Sequence, residues 1–308
     1  MEDYPRTILE FEERFATEEA CRYYLAKLRW PDGFFCPRCG HRKAWITKKG
    51  LYHCCQCEFQ TSITAGTILQ DTRKPLQLWF RAMWYITSQK SGISALGLQK
   101  VLGLNRYETV WVWLHKLRTA MVRPGRDRIS GVVVVDETLI GGSKPGKRGR
   151  GAAGKALVLI AVEDKGRHFG RIRLRRVADA SSASLIPAVQ ESVEPGSTVR
   201  TDGWTGYAGL SSKGYNHVVV RQDAEVGDNL LPLPHRVAAL LKRWLGGTHQ
   251  GAVRASHLDY YLDEYTFRFN RRTSQSRGKL FYRLVQQVVT IGPVTTEHIH
   301  GGTRNHKI

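Results

Sequence analysis

The sequence predicts an α/β protein: a mixed five-stranded sheet with flanking helices, preceded by a metal-bound ribbon and a helical segment. Three observations predict it. Four of the six cysteines form two tight pairs before residue 58. The apolar pattern changes from helical to strand-like spacing after Pro124-Gly125. A run of valines then ends in Asp136, and four more strand-like segments follow. The 308 residues suit about two domains, and a 42% hydrophobic content excludes a disordered basic tail. No apolar run approaches the ~20 residues of a membrane span. The acidic start MEDYPRTILEFEERF carries no secretory pattern, so a cytoplasmic protein is expected.

Lys and Arg number 47 against 27 Asp and Glu, a net +20, which calls for a polyanionic partner, nucleic acid first. The charge is unevenly placed. Residues 1–70 hold 10 basic and 9 acidic residues, 71–150 hold 15 and 5, and 151–308 hold 22 and 13. The step at residue 71 predicts a boundary between modules. The expected domains are 1–70 (N-terminal helix and ribbon), 71–128 (helical), 129–292 (α/β) and a loose tail at 293–308.

Thr17 can cap a helix running to about Arg29, with Cys21, Tyr24, Leu25 and Leu28 as its apolar stripe. Cys36, Cys39, Cys54 and Cys57 follow, with 14 residues between the pairs. Two such turns complete a tetrahedral Zn²⁺ site, and four thiolates leave no open position, so the zinc is structural. Gly40, Trp45, Tyr52 and Phe59 fit two short hairpins around it. Cys21 and Cys55 are left over.

Pro75 to Thr87 has helical spacing, Ser94 caps a short helix to Leu102, and Gly103-Leu104-Asn105 turns into a helix from Arg106 to about Arg123. Tyr107, Val110, Leu114, Leu117 and Met121 share one face, leaving His115, Lys116, Arg118 and Arg123 for the other. This is the order of a helix-turn-helix, with Lys116 and Arg118 as DNA contacts. An ordinary bundle with a solvated basic face fits the same pattern; the local charge favours DNA.

In the α/β segment, Gly131–Val135 reads as a buried strand ending in Asp136-Glu137-Thr138. Strands at about 155–163 and 170–178, a helix from Ser182 to Val193, a short strand ending at Asp202, and a strand at 216–221 complete the sheet. One Asp at a strand end is ordinarily a cap or turn residue. Two at matching ends of neighbouring strands can share divalent metal. A third ligand would come from the helix entered through Pro232 and Pro234, where His235 and Lys242 lie on one face about 10 Å apart along the axis. On spacing alone, a helix-terminal His and a solvated Lys are the favoured reading, and Glu225 and Asp228 are rival ligands. The run Gly141 to Gly151 holds Lys144, Lys147, Arg148 and Arg150, suiting a loop that grips DNA beside Asp136. Tyr260, Tyr261, Tyr265 and Phe269 are expected in the core. Asn270, Arg271 and Arg272 are candidate phosphate contacts.

The segments CPRCG, YHCCQC, TAGTIL, LHKLRTAM, VVVVDETLIGG, KRGRGAAGK, RTDGWTGY, LLKRWLGGTHQGAV and YLDEYTFRFNRR, in this order, resemble bacterial insertion-sequence transposases of the ISXO2-like group. These pair a zinc ribbon with a DDE-type, ribonuclease H-like core. The resemblance covers about residues 17 to 290. It implies that the chain binds terminal inverted repeats and target DNA, cleaves and transfers strands with Mg²⁺ or Mn²⁺, and works as a homodimer or larger homo-oligomer. It also implies an active site of Asp136, Asp202, His235 and Lys242, with His where the wider family usually has Glu or Asn. Arg243 joins the DNA contacts. A DNA-binding regulator with an inactive core, or a nuclease without strand transfer, are the competing functions.

Overall fold

The computed structural model describes residues 2–123, 125–141, 155–166, 168–221 and 230–302. These form two compact units. The first holds Met1–Pro124 with Ser274–His300, and the second Gly125–Thr273 with Gly301–Ile308.

In the first unit, Thr7 and Thr17 cap α1 (Ile8–Arg14) and α2 (Glu18–Arg29) by accepting from the backbone N–H of Glu10 and Ala20. The ribbon is one antiparallel sheet of β1 (Ala44–Ile46), β2 (Tyr52–Cys54) and β3 (Gln60–Thr61), in the order β1-β2-β3. α3 (Leu76–Ser88) begins after Pro75, whose side chain offers no cap. The Glu18 carboxylate takes that role, accepting from Leu76 N at 2.8 Å. Ser94 caps α4 (Ala95–Leu102), and Gly103, at φ +63°, closes it in the left-handed conformation and starts the turn into α5 (Tyr107–Ala120). Helix, turn and helix therefore occur in the predicted order.

The last partner of this unit comes from far along the chain. α9 (Arg277–Thr290) buries Leu280, Phe281, Leu284, Val285 and Val288, and it packs on α2, α3 and α5. The Phe281 ring meets Phe11, Phe15, Tyr24, Phe80 and Trp84 with centroids 5.4 to 6.4 Å apart. Residues 277–290 thus belong with the N-terminal helices, where chain order had placed them in the α/β domain. The expected loose tail also contains a short helix, α10 (Thr296–Gly301), with Ile299 buried.

The second unit is a five-stranded mixed sheet in the order β6-β5-β4-β7-β8. Its strands are β4 (Val132–Ile140), β5 (Ala156–Asp164), β6 (Phe169–Val177), β7 (Thr198–Thr201) and β8 (Asn216–Val219). β5 is antiparallel to both neighbours, while β4, β7 and β8 run parallel. This is the expected ribonuclease H-like arrangement. Helices cover both faces. α6 (Ser182–Ser192) and a 3₁₀ helix (Thr205–Lys213) pack against Val133, Val135, Leu159 and Val199. α7 (Pro232–Thr248) and α8 (Leu258–Phe269) pack against Val158, Ile160, Val162 and Ile172. β5, covered on both sides, has eight consecutive buried residues, the near-continuous apolar run expected of a central strand.

Candidate active site

Asp136 does not end its strand. β4 continues four residues beyond it, because Glu137 to Ile140 keep pairing with Leu159 to Ala156 of β5. On the other side, pairing with β7 stops at Val134↔Arg200. Continuing that parallel register brings Asp202, the first residue after β7, level with Asp136. The two strands are neighbours, as the metal hypothesis required. Val133 and Val135 face α6, so strand alternation turns Asp136 to the α7 side. There His235 meets it, with Nε2 3.2 Å from Asp136 Oδ2. His235 sits in the first turn of α7, where Pro232 and Pro234 occupy positions that have no helical carbonyl to bond. The tertiary structure thus gives His235 a partner that its place in the helix did not indicate, with half of its side chain still exposed.

Burial drives the Asp136 carboxyl up to about 6, and the charges of Glu137 and Asp202 add to the rise while His235 opposes it. Lys242 is held below the ordinary lysine value, first by desolvation and then by the neighbouring Lys155 ammonium, with Asp136 working against both. Asp136 therefore feels the charges of Asp202 and His235, and Lys242 that of Asp136. Two carboxylates and an imidazole suit a hard or borderline divalent cation in kind. In position the fit is partial. Among the described residues, the four ribbon cysteines alone bring three or more donor atoms within 4.8 Å of one another. Asp136 and His235 are in contact at 3.2 Å. One Asp202 oxygen accepts from Trp204 N at 3.0 Å. Glu225 and Asp228 lie outside the described residues.

The ribbon site is complete. Cys36 Sγ lies 3.7 Å from Cys57 Sγ, and Cys39 Sγ 3.6 Å from Cys54 Sγ. Thiolates about 2.3 Å from a tetrahedral Zn²⁺ stand roughly 3.8 Å apart, so the four fit that ion. The two knuckles match. Gly40 N donates to Cys36 O and Glu58 N to Cys54 O, and both residues adopt positive φ, +76° and +57°. The first glycine was a visible signal; Glu58 was not. Cys55 is exposed and outside the site, and Cys21 is buried in α2. The expected hairpins form, β1 with β2 and β2 with β3, and leave Trp45 and Phe59 exposed on them. Tyr52 instead stacks on Phe34 and meets Trp30 edge-on.

The predicted DNA contacts divide. Arg118 is only 1% exposed and approaches His115, also buried. The body of α5 is covered on nearly all sides, so this guanidinium is no surface contact. Lys116 is half-buried, while Arg243 is exposed on α7. The exposed part of α5 is its first turn, Tyr107 and Glu108 after the exposed cap Arg106, and Lys100 and Val101 of α4 are exposed as well. Asn270 is no phosphate contact either. Its amide completes the β6 edge, accepting from Ile172 N at 2.7 Å and donating to Ile172 O at 3.1 Å. Arg271 donates to Phe267 O, and Arg272 donates to the carbonyls of Phe169, Gly170 and Phe269. Arg272 thereby ties the end of α8 to the sheet edge. Lys144, Lys147, Arg148 and Arg150 lie outside the described residues. Tyr260, Tyr261, Tyr265 and Phe269 are buried as expected.

Residue pattern did not single out Glu137, Tyr207 or His217. Tyr207 Oη donates to Glu137 Oε2 at 2.7 Å, and His217 Nε2 is hydrogen-bonded to Thr201 Oγ1 at 2.9 Å. The only available signals were the adjacency of Glu137 to Asp136 and the unusual length of the RTDGWTGY segment.

A ribonuclease H-like sheet with acids beside its central parallel pair, on a chain carrying a four-cysteine ribbon, defines the class of zinc-ribbon DDE transposases. Residues 128–270 match the profile of the ISXO2-like transposase domain, and residues 16–60 that of the transposase zinc-ribbon domain. Together they span more than half of the chain, which carries an ISXO2-like transposase domain behind a transposase zinc ribbon. A curated relative, an uncharacterized protein in transposable element ISH50 of Halobacterium salinarum, is 26% identical over 291 residues, covering 86% of this chain and 94% of its own. The chain is therefore a transposase, by family an enzyme that binds, cleaves and transfers DNA strands, with a structural zinc site. No described helix is long and apolar enough to cross a membrane.

Proposed function

We propose that the chain recognises the terminal inverted repeats of its own insertion sequence, nicks the DNA there, and joins the freed 3′-hydroxyl to target DNA. Asp136, Asp202 and His235 are the ligands of catalytic Mg²⁺ or Mn²⁺, and Lys242 holds the reacting phosphate. The observation that carries this reading is the 3.2 Å approach of His235 to Asp136, whose neighbouring parallel strand ends one residue before Asp202. Bound divalent metal would supply activation of the attacking hydroxyl and neutralisation of phosphate charge. Asp136 and Asp202 orient and charge that position. His235 adds a neutral nitrogen donor, one negative charge fewer than Glu. Lys242, seven residues on and about 10 Å along α7, offers its ammonium to charge developing on the phosphate. The nitrogen ligand predicts activity with Mn²⁺ at least equal to that with Mg²⁺. Two element ends joined in one event call for at least a dimer during the reaction.

A labelled terminal-repeat duplex, incubated with protein and Mn²⁺, tests the reading. Joined products support it. Cleavage alone points to a nuclease, and binding alone to a regulator with an inert core. Asp136→Ala should abolish cleavage and keep binding; retained cleavage overturns the site.

A further inference from the structure

The reading above needs Asp136 and Asp202 at a fixed spacing, and the sheet backbone does not provide it. Pairing of β4 with β7 ends at Val134↔Arg200, two residues before either acid. Asp202 lies in the link between β7 and the 3₁₀ helix, where a hinge of an ångström would separate the carboxylates.

Side chains close that gap from both ends. Thr201 Oγ1, directly before Asp202, is hydrogen-bonded to His217 of β8 and accepts from Gly203 N at 3.2 Å. Gly203 is at φ +81°, and a Cβ there would stand 2.6 Å from Val219 Cγ1, so the turn has one shape. Trp204 Nε1 donates to Ala180 O at 2.7 Å, and a Cβ on Gly206 would stand 2.5 Å from the same carbonyl. Tyr207, fully buried, then reaches back to β4 and donates to Glu137 Oε2 at 2.7 Å. Glu137 is the neighbour of Asp136 and faces the opposite side of the strand. Of these bonds, the one from Tyr207 to Glu137 links the two acid-bearing segments to each other. It lies beneath the site, on the α6 side of the sheet, away from His235 and from any DNA on the α7 side.

We propose that Tyr207 and Glu137 are positioning residues, a hydrogen-bonded strut that sets the separation of Asp136 and Asp202 for metal binding. The inference rests on the assignment of those acids as ligands. Supporting groups of this kind act through the orientation of ligands, and losing one typically weakens metal binding or activity 10- to 100-fold.

The test is Mn²⁺ binding to the zinc-loaded full-length chain, without DNA, followed by calorimetry or by the spin resonance of free Mn²⁺. Tyr207→Phe keeps the buried ring and removes the hydroxyl. It should weaken Mn²⁺ binding about tenfold or more, with terminal-repeat affinity unchanged and the thermal midpoint little moved. Glu137→Ala should do the same, and Glu137→Gln, which keeps an acceptor, should recover most of the loss. Asp136→Ala is the control on the underlying assignment. If Asp136→Ala leaves Mn²⁺ binding intact, the ligand assignment falls. If Asp136→Ala abolishes binding while Tyr207→Phe binds as wild type does, the strut is overturned and the ligands stand. A Glu137→Gln variant as weak as Glu137→Ala also overturns it, because the hydrogen bond would then not be what matters.

Discussion

Replacing Cys57 by Ser should unfold the ribbon, and replacing Cys55, two residues earlier, should do almost nothing. Between residues 31 and 60 the only buried residues are Cys36 and Cys54. Strands of three, three and two residues have no apolar core behind them. Such a module draws its stability from the metal. Structural zinc supplies an apparent ~10–16 kcal/mol in isolated fingers, as much as the whole stability of an ordinary domain. Cys57 Sγ is 3.7 Å from Cys36 Sγ and holds one vertex of the tetrahedron, whereas Cys55 is exposed and outside it. The expected Cys57→Ser protein carries substoichiometric zinc by elemental analysis, and a protease cuts it rapidly between residues 31 and 61. Cys55→Ser should keep one zinc per chain and full protease resistance. A Cys57→Ser ribbon that stays folded without zinc would refute the premise that metal, and not packing, holds these strands.

Three further outcomes are expected. Arg118→Ala should lower the thermal midpoint, because it empties a site only 1% exposed, whereas Arg106→Ala, at the exposed start of α5, should leave the midpoint in place and reduce the salt slope of DNA binding by about one; titrating DNA affinity against salt separates the two. Gly278→Ala should destabilise the first unit by about 3 kcal/mol or more in denaturant titration, since its Cβ would stand 1.6 Å from the Pro5 carbonyl oxygen, a backbone atom that cannot step aside. Gly246→Ala should do the reverse, raising stability by about 0.5–1 kcal/mol, because Gly246 lies inside α7 with nothing within 4 Å of an added Cβ.

Local chemistry was legible in the chain by itself. The cysteine spacing determined the zinc ligands, since a tetrahedral ion needs two tight turns and the sequence holds only two. Thr17 and Ser94 marked helix starts through their capping oxygens. Valine-rich runs marked the strands, because β-branched residues fill a sheet buried on both faces. Contacts between segments far apart in sequence were decided by the tertiary structure alone. His235 at the head of α7 had no visible partner until α7 lay across β4 and set it, still half-exposed, 3.2 Å from Asp136. Arg118 had the spacing of a surface cation, yet α5 is enclosed on the side that spacing left open. Residues 277–290 carried an amphipathic stripe whose partner no local rule could name, and Phe281 found it among Phe11, Phe80 and Trp84, some 200 residues away or more. Tyr207 and Glu137, 70 residues apart, became a pair only when β7 docked beside β4. Periodicity and capping act within a few turns of chain, whereas burial and partner choice depend on which surfaces the folded sheet and helices bring together.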